Sequence, residues 1–186
     1  MSSTLALVLS IVLQQVTPEH TYNGLNNGIV VNIEIPQGFD LGQLLLVDFE
    51  NQRLTEPVNL SRGTHNIVKR FPVLKETQTA ALLKLFVNEK QVGESVVIQP
   101  MLSREVPVVE EKLRPDGKTT YIKIVGWQNE AEEDGVDGAF LSGWRVYEDM
   151  DAIISTSEGD IRISLRPDAA TNTVWNFREL VSGDFY

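Results

Sequence analysis

Residues 28–49 read GIVVNIEIPQGFDLGQLLLVDF, and this stretch decides the fold. Val31, Ile33 and Ile35 fall on one side of an alternating run, with Asn32 and Glu34 on the other. A period of two is the mark of a strand with one buried face. Pro36 and Gly38 end the run, since proline lacks a ladder donor and glycine favours a turn. Leu44-Leu45-Leu46-Val47-Asp48-Phe49 follows as a continuous apolar run of strand length, closed by the polar turn Glu50-Asn51-Gln52-Arg53.

The same texture continues on the C-terminal side. Val58, Leu60 and His65-Asn66-Ile67-Val68 predict short strands around Arg62-Gly63. Ala80 to Val87 fits a helix or a strand. A strand is preferred, because Glu89-Lys90-Gln91-Val92-Gly93 then makes a hairpin with Ser95-Val96-Val97-Ile98. Val106-Pro107-Val108-Val109 suits an edge strand, where proline costs no ladder bond. Thr119 to Trp127 alternates, with Tyr121, Lys123 and Val125 on one side and Ile122, Ile124 and Gly126 on the other. Gly143-Trp144-Arg145-Val146-Tyr147 mirrors it, and pairing of these two strands is expected to stack Trp127 on Trp144. Short strands at about ten-residue spacing, with turn signals between them, predict a β-sandwich over residues 22–150.

Composition removes several classes of function. The chain has 186 residues and a net charge of −10. It has no basic run of the kind that phosphate neutralisation requires, which argues against nucleic-acid binding. No cysteine is present, so disulfides, thiolate catalysis and cysteine metal sites are excluded together. His20 and His65 lack a second ligand at metal spacing and read as surface or turn histidines. The sequence contains no G-x-S-x-G elbow, no P-loop and no G-x-G-x-x-G after a strand. Glu130-Ala131-Glu132-Glu133-Asp134-Gly135-Val136-Asp137 resembles a calcium loop in its alternating acids. It begins with Glu rather than Asp, however, and has Leu141 where a bidentate Glu belongs. It reads as a solvated hairpin loop, with weak calcium binding by another geometry left open. No catalytic, cofactor-binding or metal-binding residue is assigned, and no cofactor is expected.

At the N-terminus, Leu5 to Leu13 is apolar apart from Ser10. Nine residues are too few to span a bilayer, so no transmembrane helix is expected there. The length suits the core of a secretory signal, although the preceding residues carry no Lys or Arg and no small-x-small cleavage site follows. The competing reading is a buried first strand or helix. The abrupt change to Gln14-Gln15 and Thr17-Pro18-Glu19-His20 favours a signal over residues 1–21 and an exported protein.

Residues 151–186 read DAIISTSEGDIRISLRPDAATNTVWNFRELVSGDFY. Ala152 to Thr156 and Asp160 to Leu165 predict two strands about Gly159, which supplies the positive φ of a tight turn. Ile161, Ile163 and Leu165 alternate with Arg162, Ser164 and Arg166, so one face is expected to be buried. Thr173 to Val181 has helical spacing, with Val174, Phe177 and Val181 on one face and Phe177 expected to pack against the hairpin. Asp168 is placed to cap the helix and Gly183 to end it.

This segment resembles the start of a cyclophilin-type peptidyl-prolyl cis-trans isomerase domain. The residues that carry the resemblance are Thr156, Gly159, Ile161, Ile163, Leu165, Pro167 and Ala170, then Thr173, Val174, Asn176, Phe177, Leu180, Gly183, Phe185 and Tyr186. Thr171 departs from the family, which usually has proline there. The resemblance implies the first hairpin and helix of a cyclophilin-like β-barrel, a cofactor-free activity, and proline-containing polypeptides as partners. The residues of that family that hold the substrate proline, including an arginine in an F-H-R-V-like strand, have no counterpart here. Residues 151–186 are therefore expected to be scaffold and this chain alone inactive, as a fragment of a longer isomerase.

Overall, the sequence predicts a mainly β protein: an N-terminal β-sandwich followed by a truncated cyclophilin-like barrel. The alternative reading is a secreted, non-enzymatic β-sandwich binding module.

Overall fold

The computed structural model describes residues 15–102, 105–129 and 141–183. The fold is mainly β. Three short strands, β1 (Val16–Pro18), β3 (Val30–Ile33) and β6 (Gly63–Asn66), form an antiparallel sheet in the order β1-β3-β6. A larger sheet runs β2 (Tyr22–Gly24), β12 (Leu141–Glu148), β9 (Val96–Leu102), β7 (Ala81–Val87), β4 (Leu41–Val47), β5 (Val58–Ser61), and β8 (Lys90–Gln91) also pairs with β7. β5 and β6 lie in different sheets, so the chain switches layers at Arg62. After β6, Asn66 caps the short helix α1 (Ile67–Arg70) by accepting from the Lys69 amide, and a 3₁₀ turn follows at Pro72–Lys75.

Both faces of the large sheet are covered, which explains its near-continuous apolar strands. On the inner face, Leu44, Leu46, Leu83, Leu85, Ile98, Trp144 and Val146 pack on Val16, Ile29, Val31, Ile33, Ile67, Phe71 and Leu74. Val31, Ile33 and Ile35 are buried, as their alternation predicts. On the outer face, the register aligns Val47, Leu82, Val97 and Tyr147 across four strands. These residues form a second, smaller cluster with Leu45, Ala80 and Trp175. Ala81–Val87 is the strand expected, and it pairs with β9.

Several expectations change. β1 lies ahead of the Tyr22 boundary read from the sequence: Val16 is fully buried and opposes Ile33. The alternating strand β11 (Thr120–Asn129) pairs with β10 (Glu105–Leu113), not with β12. Trp127 and Trp144 are therefore on different sheets: Trp144 is 0% exposed and Trp127 is 61% exposed. Pro115-Asp116-Gly117 is the turn that decides this pairing. Asp116 Oδ1 accepts from the amides of Lys118 and Thr119, and its Oδ2 accepts from the Thr119 hydroxyl. Such a compact Asx turn closes the β10–β11 ribbon at once. Residues 130–140, with the acidic loop, lie outside the described residues, as do Leu5 to Leu13, Phe185 and Tyr186.

Gly143 is fixed by the β2 pairing. Its φ is +155, and a Cβ there would run into the Asn23 carbonyl oxygen.

The C-terminal unit is a hairpin of β13 (Ala152–Thr156) and β14 (Gly159–Ile163), followed by α2 (Thr171–Ser182). Gly159 has the expected positive φ, and Gly183 stands at the helix C-cap. Two details differ from expectation. Asp168 does not cap the helix, because both its oxygens accept from the Arg166 guanidinium, at 2.9 and 2.7 Å. The alternating face of the hairpin is not buried: Ile154, Ile161 and Ile163 are 38–53% exposed. The helix reaches only one end of that face, where Phe177 and Val181 meet Ala152 and Leu165 around a space of about 80 Å³.

Candidate functional site at the seam between sheet and helix

The polar chemistry gathered by the fold lies where α2 crosses the outer face of the large sheet. Three neighbouring strands supply the floor. Cα pairing places Tyr22 of β2, Arg145 of β12 and Gln99 of β9 in one row, and strand alternation puts Tyr147 on the same face as Arg145. Trp144 and Val146, the residues between, point into the core. From above, α2 contributes Asn172, Trp175 and Arg178, which helical spacing puts on one side.

Trp175 is the centre of this seam. Its ring meets Tyr22 edge-on at 5.8 Å and Tyr147 at 5.2 Å. The Arg145 guanidinium lies 5.2 Å from the Trp175 ring centroid and 5.9 Å from that of Tyr22. It donates from Nη1 to Asn172 Oδ1 at 3.3 Å, while its Nε is buried without a hydrogen-bond partner. The rings offset that desolvation, since a cation over an aromatic face is attracted by its quadrupole. Arg178 covers the Tyr147 ring at 4.5 Å. The Tyr147 hydroxyl donates to Gln99 Oε1 at 2.9 Å, and Gln99 is buried.

Two groups here titrate abnormally. Burial pushes the Tyr147 phenol up to about 12, against the opposing pull of Arg178 and Arg145. Asp149, at the end of β12, is held above the ordinary carboxylate range by burial and by the neighbouring charge of Asp151. A neutral phenol already committed to Gln99 is neither a nucleophile nor a base near pH 7. Beside the seam is a cleft of about 370 Å³ lined by Thr17, Glu19, Thr21, Tyr147, Glu148 and Arg178, among others. No histidine is among its lining residues. Chemically, the arrangement is an aromatic–cation clamp that holds the helix on the sheet.

A second fastening lies at the other edge. Arg166, just ahead of α2, donates to Glu50 at 2.8 Å and to Asp168, and its guanidinium lies 5.9 Å from the Phe49 ring centroid. Its hydrogen bond holds the Asp168 carboxyl below the ordinary range.

The residues singled out from the sequence are dispersed. His65 donates from Nε2 to the Ser61 carbonyl at 2.8 Å, and His20 lies near Glu19 on the surface. Among the described residues, no group of three or more His, Asp or Glu side chains is placed to hold a metal. None of their helices is long and apolar enough to cross a membrane. The sequence reading missed Arg145, Tyr147, Trp175 and Arg178. A signal was present, because Trp144-Arg145-Val146-Tyr147 alternates two buried apolar side chains with two that must find polar partners on the opposite face.

Two surfaces remain uncovered by any described element: the hairpin face with Ile154, Ile161 and Ile163, and the β10–β11 ribbon. Comparison of the chain with protein-family models, with curated proteins and with solved structures finds no match.

Proposed function

We propose that this chain carries the opening hairpin and first helix of a cyclophilin-type prolyl isomerase barrel on a β-sandwich. The isomerase activity belongs to the barrel that further strands complete. The observation that supports this reading is the uncovered apolar face of β13–β14. Ile154, Ile161 and Ile163 stand in one row of partners, with α2 crossing only one end. A two-stranded hairpin is marginal in water without a covered face, and closing a barrel supplies both the cover and the missing edge partners. The ordered motif residues from Thr156 to Gly183 point to the family.

In this reading, the completed barrel binds proline-containing polypeptides in an apolar site. It lowers the barrier of about 20 kcal/mol to X-Pro rotation by favouring the twisted imide over the planar one. Residues 151–183 are scaffold. The seam clamp makes the sandwich and the barrel start one body, and the apolar segment Leu5 to Leu13 supports export.

Domain complementation tests this. In a protease-coupled proline-peptide assay, the chain alone should match the uncatalysed rate. Fusing the remaining strands of a cyclophilin barrel after Tyr186 should give a cooperatively folding protein with clear acceleration. A folded fusion without activity, or catalysis by the chain alone, would refute the assignment.

The second reading, a non-enzymatic secreted binding module, is favoured by one observation: the β10–β11 ribbon is exposed on both faces and packs chiefly on itself.

A further inference from the structure

Among the described residues, the β10–β11 ribbon carries the largest group of exposed large hydrophobic side chains. Its register sorts its two faces. Lys112 opposes Tyr121 and Glu110 opposes Lys123, so these charges share one face with Tyr121 and Val108, with Lys112 paired to Glu110 at 3.3 Å and Arg114 over the Tyr121 ring. The other face carries Leu113, Ile122, Val109, Ile124 and, beyond the bulge at Val108/Val109, Trp127 opposite Pro107. These five apolar side chains are 50–71% exposed. Glu111 lies among them in the register and accepts from the Thr120 hydroxyl at 2.6 Å.

We infer that this stripe is a self-association surface and that its occupant is the same stripe of a second copy of this chain. Three features choose a second copy. The first is area. Five such side chains offer on the order of 600 Å² per copy, so two apposed ribbons remove about 1,200 Å² from water, the lower end of specific interfaces. A patch of that size stands at the top of the range that a monomer ordinarily leaves bare.

The second is charge. The chain carries −10, which opposes self-association, yet residues 105–129 hold four acidic and four basic side chains. The ribbon thus adds no net charge of its own to a contact between two acidic copies. The third is shape. A two-stranded ribbon with apolar residues along one face fits its own two-fold mate, and none of the clefts around the seam or the large sheet reaches it. The two-fold axis passes near Ile122 and Ile124, in the middle of the row. The inference is independent of the isomerase reading.

Sedimentation velocity decides it. The 186-residue chain should show a dimer fraction that rises between about 1 and 100 μM, the range suited to an interface at the lower size limit. The double variant Ile122→Asp/Ile124→Asp should raise the dissociation constant at least 100-fold, and Leu113→Lys near the ribbon tip should weaken it in the same direction. Both should keep the wild-type urea midpoint, because the ribbon lies outside the core. Ile161→Asp, on the exposed hairpin face, should leave the dimer unchanged. Added salt should strengthen association modestly by screening the like net charges. The inference is overturned by any of four results. These are a wild-type monomer at the highest concentration, a dimer that survives the double variant, a dimer lost only with Ile161→Asp, or one dissolved by salt.

Discussion

The large sheet and the β10–β11 ribbon are written in similar text and meet opposite fates. Strands β7 and β9 are rich in Val, Leu and Ile, and β12 and β11, which read LSGWRVYE and TYIKIVGWQN, each carry a tryptophan among aliphatic residues. In the sheet, Trp144 is fully buried and donates its indole N–H to the Leu74 carbonyl at 3.2 Å. In the ribbon, Trp127 lies on the surface. The difference is not in the strands but in what covers them. β1, β3, β6, α1 and the 3₁₀ turn close one face of the sheet and α2 reaches the other, whereas β10 and β11 chiefly contact each other. An alternating apolar strand asks for a partner, and the sequence of that strand does not say whether one arrives.

The sharpest way to break this comparison is to remove each tryptophan in turn. Trp144→Ala should cost about 3–5 kcal/mol in urea unfolding, from the cavity and the lost indole hydrogen bond, whereas Trp127→Ala should fall within about 0.5 kcal/mol of wild type. Similar losses for the two would mean that the ribbon belongs to the core.

A smaller effect is expected at the seam. Trp175→Ala removes the central ring of the clamp and leaves Arg145 over Tyr22 alone. Stability should fall by about 1–3 kcal/mol, with amide exchange in α2 accelerating before exchange in β7 and β9. Uniform acceleration across the sheet would instead make the helix an integral part of the sandwich.

The smallest effect is a pH dependence at the same seam. The Asp149 carboxyl is raised above its unfolded value, so the folded protein binds that proton more tightly. Its ionised form is a penalty above the folded pKa. That penalty is relieved as pH falls through the folded value towards the unfolded one. Asp149→Asn should therefore unfold at higher urea than wild type near neutral pH, and the gap should close as pH falls to about 4. A gap independent of pH would show that the charge is not what burial opposes.

How much was legible follows from the range of the interactions. Val31, Ile33 and Ile35 announced a buried face, and Ala81–Val87 announced a strand, because period and composition are local properties. The hairpin, Gly159 turn and helix expected in residues 151–183 were equally local, and they have the expected secondary structure. Asp168 misled, because an acid ahead of a helix has two local uses, and pairing with Arg166 wins over capping. Trp175 gave no signal of its central place, since helical spacing gave it no more weight than Val174 or Phe177.

By itself, then, the sequence determined that the chain is mainly β, where most strands lie, and that cysteine chemistry is absent. Only the tertiary structure decided that β11 pairs with β10, that β5 and β6 part into different sheets, and that Arg145, Tyr147, Trp175 and Arg178 meet. The physical reason is that pairing and cover depend on residues far apart in the chain, whose approach is fixed by turns such as Asp116-Gly117 and by the layer that packs above them. A strand's own text records only the demand for burial.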